Sequence, residues 1–228
     1  MEMESFELPD ELPLFPLSMV LFPGTLLPLH IFEERYKEMM RYAVEHGGLY
    51  GLSFRDNAAA GRETIPEVGS VGCLAKINAV MPLEEGRMNI ISTGVIRFRV
   101  TGYSQMVPFL IANIETFTDE IEHDEEMTRL FESMAKTGKE LLEAAQQLDE
   151  TNGVFNSELP EDPEAFSLII SSLLPLNNET KQKLLEITST KTRLVRLRGY
   201  VLSTLSEYNA RIEIRNRAKT NGHGKLQT

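Results

Sequence analysis

Between Leu12 and Gly48 the chain reads LPLFPLSMVLFPGTLLPLHIFEERYKEMMRYAVEHGG, two short apolar runs broken by prolines and followed at once by an amphipathic helix. Proline has no N–H to give a ladder. Residues 12–17, with Pro13 and Pro16, and residues 25–32, with Pro28, are therefore expected as short strands at edges, strand starts or bulges, with a turn at Pro23 and Gly24. Phe32, Tyr36, Met39, Met40, Ala43 and Val44 then recur at three- and four-residue spacing, which predicts one buried helix face. Gly47 suits the left-handed residue that follows a helix.

The next seventy residues keep a strand pattern. Residues 49–54 form a strand, 55–67 a mobile loop, and 71–81 and 87–92 a hairpin joined through residues 82–86. Ile96, Phe98 and Val100 alternate with Arg97 and Arg99, predicting that the first three face a core and the two arginines face water. Residues 109–117 alternate likewise, so six or seven short strands with one inserted helix predict a small closed or nearly closed barrel.

Beyond Phe117 the period changes. Met127, Leu130, Phe131, Met134, Leu141, Leu142, Ala145 and Leu148 form one stripe on a long helix over 122–148. Residues 151–160 are its exit loop. Asp162 and Pro163 open a second helix, Asn177 or Asn178 a short third, and Ser189 or Thr190 a long fourth, giving a four-helix bundle with a frayed tail over 220–228. The expected division is thus 1–118, a β-barrel subdomain, and 119–228, a helical bundle: an α+β chain.

Charge narrows the functional classes. Among the 228 residues the net charge is −11, and Lys plus Arg number 9 against 15 acidic residues over 1–118, 5 against 17 over 119–190, and 9 against 2 over 191–228. A duplex-binding face needs dense positive charge to displace counterions, and two of these three segments would repel phosphate. The basic last helix is expected to pair with the acidic one before it. The longest apolar run, 19–32, is interrupted at Pro23, Gly24 and Pro28, so no membrane span is expected. A start of MEMESFELPDE lacks the basic region and apolar core of a secretory signal, and a cytoplasmic location is expected. The single cysteine, Cys73, is expected to be buried.

SMAKTGKE at 133–140 has Ser133 and Glu140 where a phosphate-binding loop needs glycine and a hydroxyl, and it sits inside a helix. His30, His46, His123 and His223 lack partners at metal-binding spacing. No GxSxG elbow is present. No cofactor and no metal are expected.

The 12–48 stretch, the segment IPEVGSVGCLAKINAVMPLEEGRMNIISTGVIRFRV at 65–100, and DPEAFSLIISSLLPLNNETKQKLLEITSTKTRLVRLRGYVLS at 162–203 together resemble the Lon protease N-terminal domain. The resemblance implies a PUA-like β-barrel followed by an α-helical bundle, and a protein-recognition role without the ATPase and the serine–lysine peptidase of the full-length family. Partners implied are unfolded or regulatory polypeptides and a separate protease. An RNA-binding PUA-like module, gripping through Arg193, Arg196, Arg211 and Arg215, is the alternative, and the acidity weighs against it. Because an extended peptide can join a strand edge, the peptide-binding residues expected are Phe15, Leu17, Met19, Leu21 and Phe22.

Overall fold

The computed structural model describes residues 8–55, 65–120, 122, 124–148 and 158–222, with side chains given to residue 217. Most of the loops expected at 55–67 and 151–160, most of the tail at 220–228, and His123 and His223 lie outside the described residues. Chain contacts separate two compact units, one of residues 1–119 and 176–188, the other of 120–175 and 189–228.

The first unit holds β1 (Glu11–Leu17), β2 (Leu26–Ile31), α1 (Glu34–Glu45), β3 (Leu49–Phe54), β4 (Val71–Pro82), β5 (Met88–Gln105), β6 (Leu110–Phe117) and the short α4 (Asn178–Leu185). Following the pairings, β5 joins β4, β4 joins β3, β3 joins β1, β1 joins β6, and β6 returns to β5. Five strands therefore close a ring. β2 stands outside it, pairing with the first half of the 18-residue β5.

Alternation divides the apolar residues between two sides of this ring. Leu12, Leu14, Leu49, Leu74, Phe98, Val100, Ala112 and Ile114 form one cluster. Phe15, Leu21, Tyr50, Leu52, Cys73 and Ile111 pack on the other side with Tyr36, Met39, Met40 and Ala43 of α1. A ring this small leaves little room inside, and glycine supplies the room for Phe98. A Cβ on Gly51 or Gly72 would lie 2.8 Å or 2.5 Å from the Phe98 ring. Phe98, as expected, is fully buried.

The neighbouring Arg97 departs from expectation. It points to the opposite side of β5 yet is only 1% exposed. Its guanidinium pairs with Asp119, donates to the carbonyls of Leu185 (3.1 Å) and Ile187 (2.6 Å), and lies 4.6 Å from the Phe117 ring centre. A strand face without an apolar layer would be wet, but here the α4 segment covers it. Gln182 donates to the Val71 carbonyl and Asn178 to that of Ser18, so the same segment is held along its length. This also corrects the four-helix bundle: α4 belongs to the sheet unit, not to the helical one. Arg99 remains partly exposed and donates to the Gly69 carbonyl.

Two further expectations change. β1, with Pro13 and Pro16, is not an edge strand; it pairs with β6 over residues 11–14 and with β3 over 14–17. Each neighbour covers only half of β1, which leaves each proline a side without a ladder partner. α1 begins at Glu34, so Phe32 precedes it and is 60% exposed, and Val44 sits off the buried stripe at 48%.

The second unit contains α2 (Glu125–Gln147), α3 (Pro163–Leu173) and α5 (Thr190–Gly222). Asp162 caps α3 by accepting from the Ala165 N–H, as expected from Asp-Pro. Asp124 caps α2 at the Met127 N–H and also accepts from Lys191 Nζ at 3.0 Å, while Lys191 reaches Glu126 at 2.7 Å. The Met127 N–H and then Lys191 hold the Asp124 carboxyl below its ordinary value; Glu126 and Asp124 push Lys191 up to about 12.

Arg97→Ala should destabilise the chain by about 3–5 kcal/mol, because Asp119 is left buried without its countercharge. Arg97→Ala with Asp119→Ala together should cost less than the sum of the two singles in denaturant titrations. Phe98→Ala should cost about 3–5 kcal/mol as a core truncation, and Arg99→Ala within about 0.5 kcal/mol.

The lowered Asp124 carboxyl favours folding above the ordinary carboxylate range, and its contribution disappears as pH falls through that range. Asp124→Asn, which keeps a capping oxygen, should therefore lower the unfolding midpoint at neutral pH and converge with the parent in acid. The raised Lys191 contributes below the ordinary lysine value and loses that contribution as pH climbs towards 12. Asp124 is exposed and Lys191 half-buried at the surface, so added salt should shrink both effects.

Candidate functional site

β2, the first half of β5 and the second half of β4 form a three-stranded extension of the ring. Opposed residues share a face, so the registers define its two sides. Leu27, Ile31, Met88 and Ile90 turn inward and are buried in the cluster that includes Met39 and Met40. Three rows remain on the outer side: Leu26–Thr93–Lys76, Pro28–Ile91–Ala79 and His30–Asn89–Met81. The middle row is wholly apolar.

Leu26 and Met81 are each 44% exposed, and Phe32, two residues beyond His30 on the same strand face, stacks beside the His30 ring at 5.9 Å. Two hydrogen bonds fix the polar members of the rows. His30 Nδ1 meets Asn89 Oδ1 at 2.7 Å, and Asn78 donates to Thr93 Oγ1 at 2.6 Å. From the inner side, buried Lys37 of α1 donates to the Glu85 carbonyl at 2.8 Å and pairs with Glu34. That contact ties the β4–β5 turn to the helix and makes the extension a braced platform. β2 closes one end of the strand order, so its far edge has no strand partner among the described residues.

The residues expected to bind peptide lie elsewhere. Phe15, Leu21 and Phe22 are core residues at 4%, 3% and 1% exposure, and the Phe15 ring sits 4.2 Å from that of Tyr36. Leu17 and Met19 are half-buried and pack on the same cluster. The first apolar run thus serves packing, and the accessible apolar surface begins at Leu26. Sequence reasoning overlooked it because Leu26, Pro28 and Phe32 alternate with Leu27, Leu29 and Ile31. With both strand faces apolar, periodicity cannot say which one is covered.

Burial pushes the Cys73 thiol up to about 12, which keeps it protonated and unreactive at neutral pH. The Tyr50 hydroxyl is raised to about 12, mainly by burial. Among the described residues no group of His, Cys, Asp or Glu is placed to hold a metal ion. The 133–140 segment lies within α2. No described helix is long and apolar enough to cross a membrane. Of the arginines on α5, Arg193 is fully buried and donates to Ser167 Oγ, Arg215 donates to the Gln147 carbonyl, and Arg211 lies 5.7 Å from the Tyr208 ring.

The sheet unit is thus a closed five-stranded ring with an apolar outer extension, and the second unit is helical. The family model of the ATP-dependent protease La (LON) substrate-binding domain matches residues 11–202, and the chain belongs to that family. Lon protease of Flavobacterium johnsoniae is 24% identical over 221 residues, covering 96% of this chain and 27% of that protein. Lon protease of Desulforamulus reducens is 25% identical over 209 residues, covering 90% and 26%. The chain therefore spans about a quarter of the length of these relatives. A crystal structure of a Lon N-terminal domain protein from Xanthomonas campestris matches with a TM-score of 0.60 at 23% identity, over 83% of this chain and 98% of that one. The N-terminal domain of the Mycobacterium avium complex Lon protease gives 0.60 at 21%, over 84% and 97%. At these identities the solved structures establish the shared fold.

Phe22→Asp should unfold the sheet unit, because it buries an unpaired charge; a loss of at least about 3 kcal/mol is expected in urea titrations. Leu26→Asp, on the open face, should stay within about 0.5 kcal/mol of the parent.

Proposed function

We propose that this chain is a non-catalytic recognition module that binds exposed apolar segments of unfolded or regulatory polypeptides. It would act in the cytoplasm as an adaptor presenting them to a separate protease. One observation carries this reading: the braced outer face of β2, β5 and β4 exposes Leu26, Pro28 and Met81, with Phe32 beyond His30, beside a strand edge that has no strand partner among the described residues. An extended segment can add to that edge through backbone hydrogen bonds and seat alternate side chains on the strip. Membership of a substrate-binding domain family supports the same reading.

Apolar burial is not screened as charge is, so binding of a reduced, unfolded test protein should persist at high salt. Leu26→Asp with Met81→Asp should weaken it about tenfold or more while leaving the unfolding midpoint in place. The purified chain should neither hydrolyse ATP nor cleave the bound protein. Turnover abolished by a point substitution would overturn the non-catalytic reading. Steep, salt-sensitive binding of an RNA oligonucleotide with no binding of unfolded protein would favour the nucleic-acid alternative. The burial of Arg193 and the contacts of Arg211 and Arg215 weigh against that outcome.

A further inference from the structure

The helical unit carries a groove of its own. α2, α3 and residues 158–161 enclose a groove of about 630 Å³. A cavity beside Tyr36 and Phe109 in the sheet unit measures about 130 Å³. The larger volume falls within the range of roughly 300–1,000 Å³ usual for ligand sites.

Its floor is apolar and rigidly supported. Phe131 meets Phe166 edge to face at 5.4 Å, and Leu142 and Leu159 pack with Ile169 and Leu173. Gly138 allows this arrangement. A Cβ there would stand 2.8 Å from the Phe166 ring, so a side chain at this position would force the ring to shift. The rim is acidic: exposed Glu143, Glu158 and Glu161 face a single cation, Lys139. An apolar slot inside a negative rim repels acidic segments and attracts cationic ones by simple complementarity.

We propose that this groove binds polypeptide segments in which a leucine or phenylalanine is flanked by lysine or arginine. It would form a second recognition site, selecting by charge what the sheet platform accepts by apolarity alone. The inference rests on the polypeptide-recognition reading above and adds a substrate preference to it. The apolar side chain enters between Phe131 and Leu159, and the flanking cations lie against the three rim carboxylates.

The test uses the full chain and three labelled peptides: an apolar core with lysine flanks, the same core with glutamate flanks, and a serine core with lysine flanks. Fluorescence anisotropy at low and high salt should show the first binding about tenfold more tightly than either other peptide at low salt, with the margin shrinking as salt rises. Glu143→Lys, Glu158→Lys and Glu161→Lys together, all exposed, should erase or invert that preference without moving the unfolding midpoint. Leu26→Asp with Met81→Asp should leave it intact. A preference that survives the rim reversal, or that disappears with Leu26 and Met81, would overturn the proposal. Equal binding of all apolar-core peptides while the unfolded test protein still binds at the platform would overturn it and leave the broader reading standing. No polypeptide binding of any kind would sink both. A rim reversal that changes the sedimentation of the chain alone would identify a second copy as the occupant, and the proposal would fall.

Discussion

The sheet unit depends on one buried cation. Arg97 sits between Asp119, at the end of the unit's first segment, and the carbonyls of Leu185 and Ile187, in the segment that returns some sixty residues later. A guanidinium presents several donors in a planar fork, so one side chain can satisfy a carboxylate and two carbonyls together. Without it, Asp119 would be buried with its charge uncompensated, and those carbonyls would lose their donor. Apolar packing alone does not require 176–188 to join the strands; Leu184 and Leu185 are two buried residues on a short, mostly polar helix. The hydrogen bonds of Arg97, Gln182 and Asn178 specify where it goes.

The adjacent residue sets the size of the ring. Phe98 fills the interior against Gly51 and Gly72, and two neighbours on one strand thus do opposite work: Phe98 closes the barrel inside, and Arg97 fastens its outer layer. Because β5 runs for 18 residues, its first half extends past the ring and offers pairing to β2 and the end of β4. The extension has α1 on one side only. That asymmetry leaves an apolar face open, and the Lys37 contact to the Glu85 carbonyl keeps it rigid. A rigid open face loses little conformational entropy when a ligand docks, which suits it to recognition.

The helical unit solves its problems with charge at the ends of helices. Asp124, Glu126 and Lys191 join the start of α2 to the start of α5, and Arg193 is buried through a hydrogen bond to Ser167. Part of the basic character of α5 is thereby used within its own unit. The acidic residues of the groove rim, by contrast, stand exposed around an apolar floor. Internal contacts thus occupy Lys191, Arg193 and Arg215, whereas Glu143, Glu158 and Glu161 are exposed.

Local chemistry was legible in the sequence wherever one residue type answers one local need. Proline and glycine marked the turn at 23–24, Gly47 marked the end of α1, Asp162 with Pro163 opened α3, and the change of period near Phe117 marked the passage from strands to helices. Phe98 was assigned to the interior by alternation, and the family was legible from three long segments. Burial between distant segments was not. Alternation assigned Arg97 to water because a polar residue opposite a core face is usually wet, and only residues 185–187 folding back make it buried. The helical period of 178–185 could not reveal that its partner is a sheet. Pro13 and Pro16 suggested an edge, since sequence cannot show that each neighbour of β1 covers only half of it. Phe15, Leu21 and Phe22 looked available for binding and form core, while Phe32 looked buried and faces solvent. Hydrophobicity states that a residue gains by being covered; which apolar residues find cover is decided by the limited surface that α1 and the ring can offer, and that is a property of the tertiary structure alone.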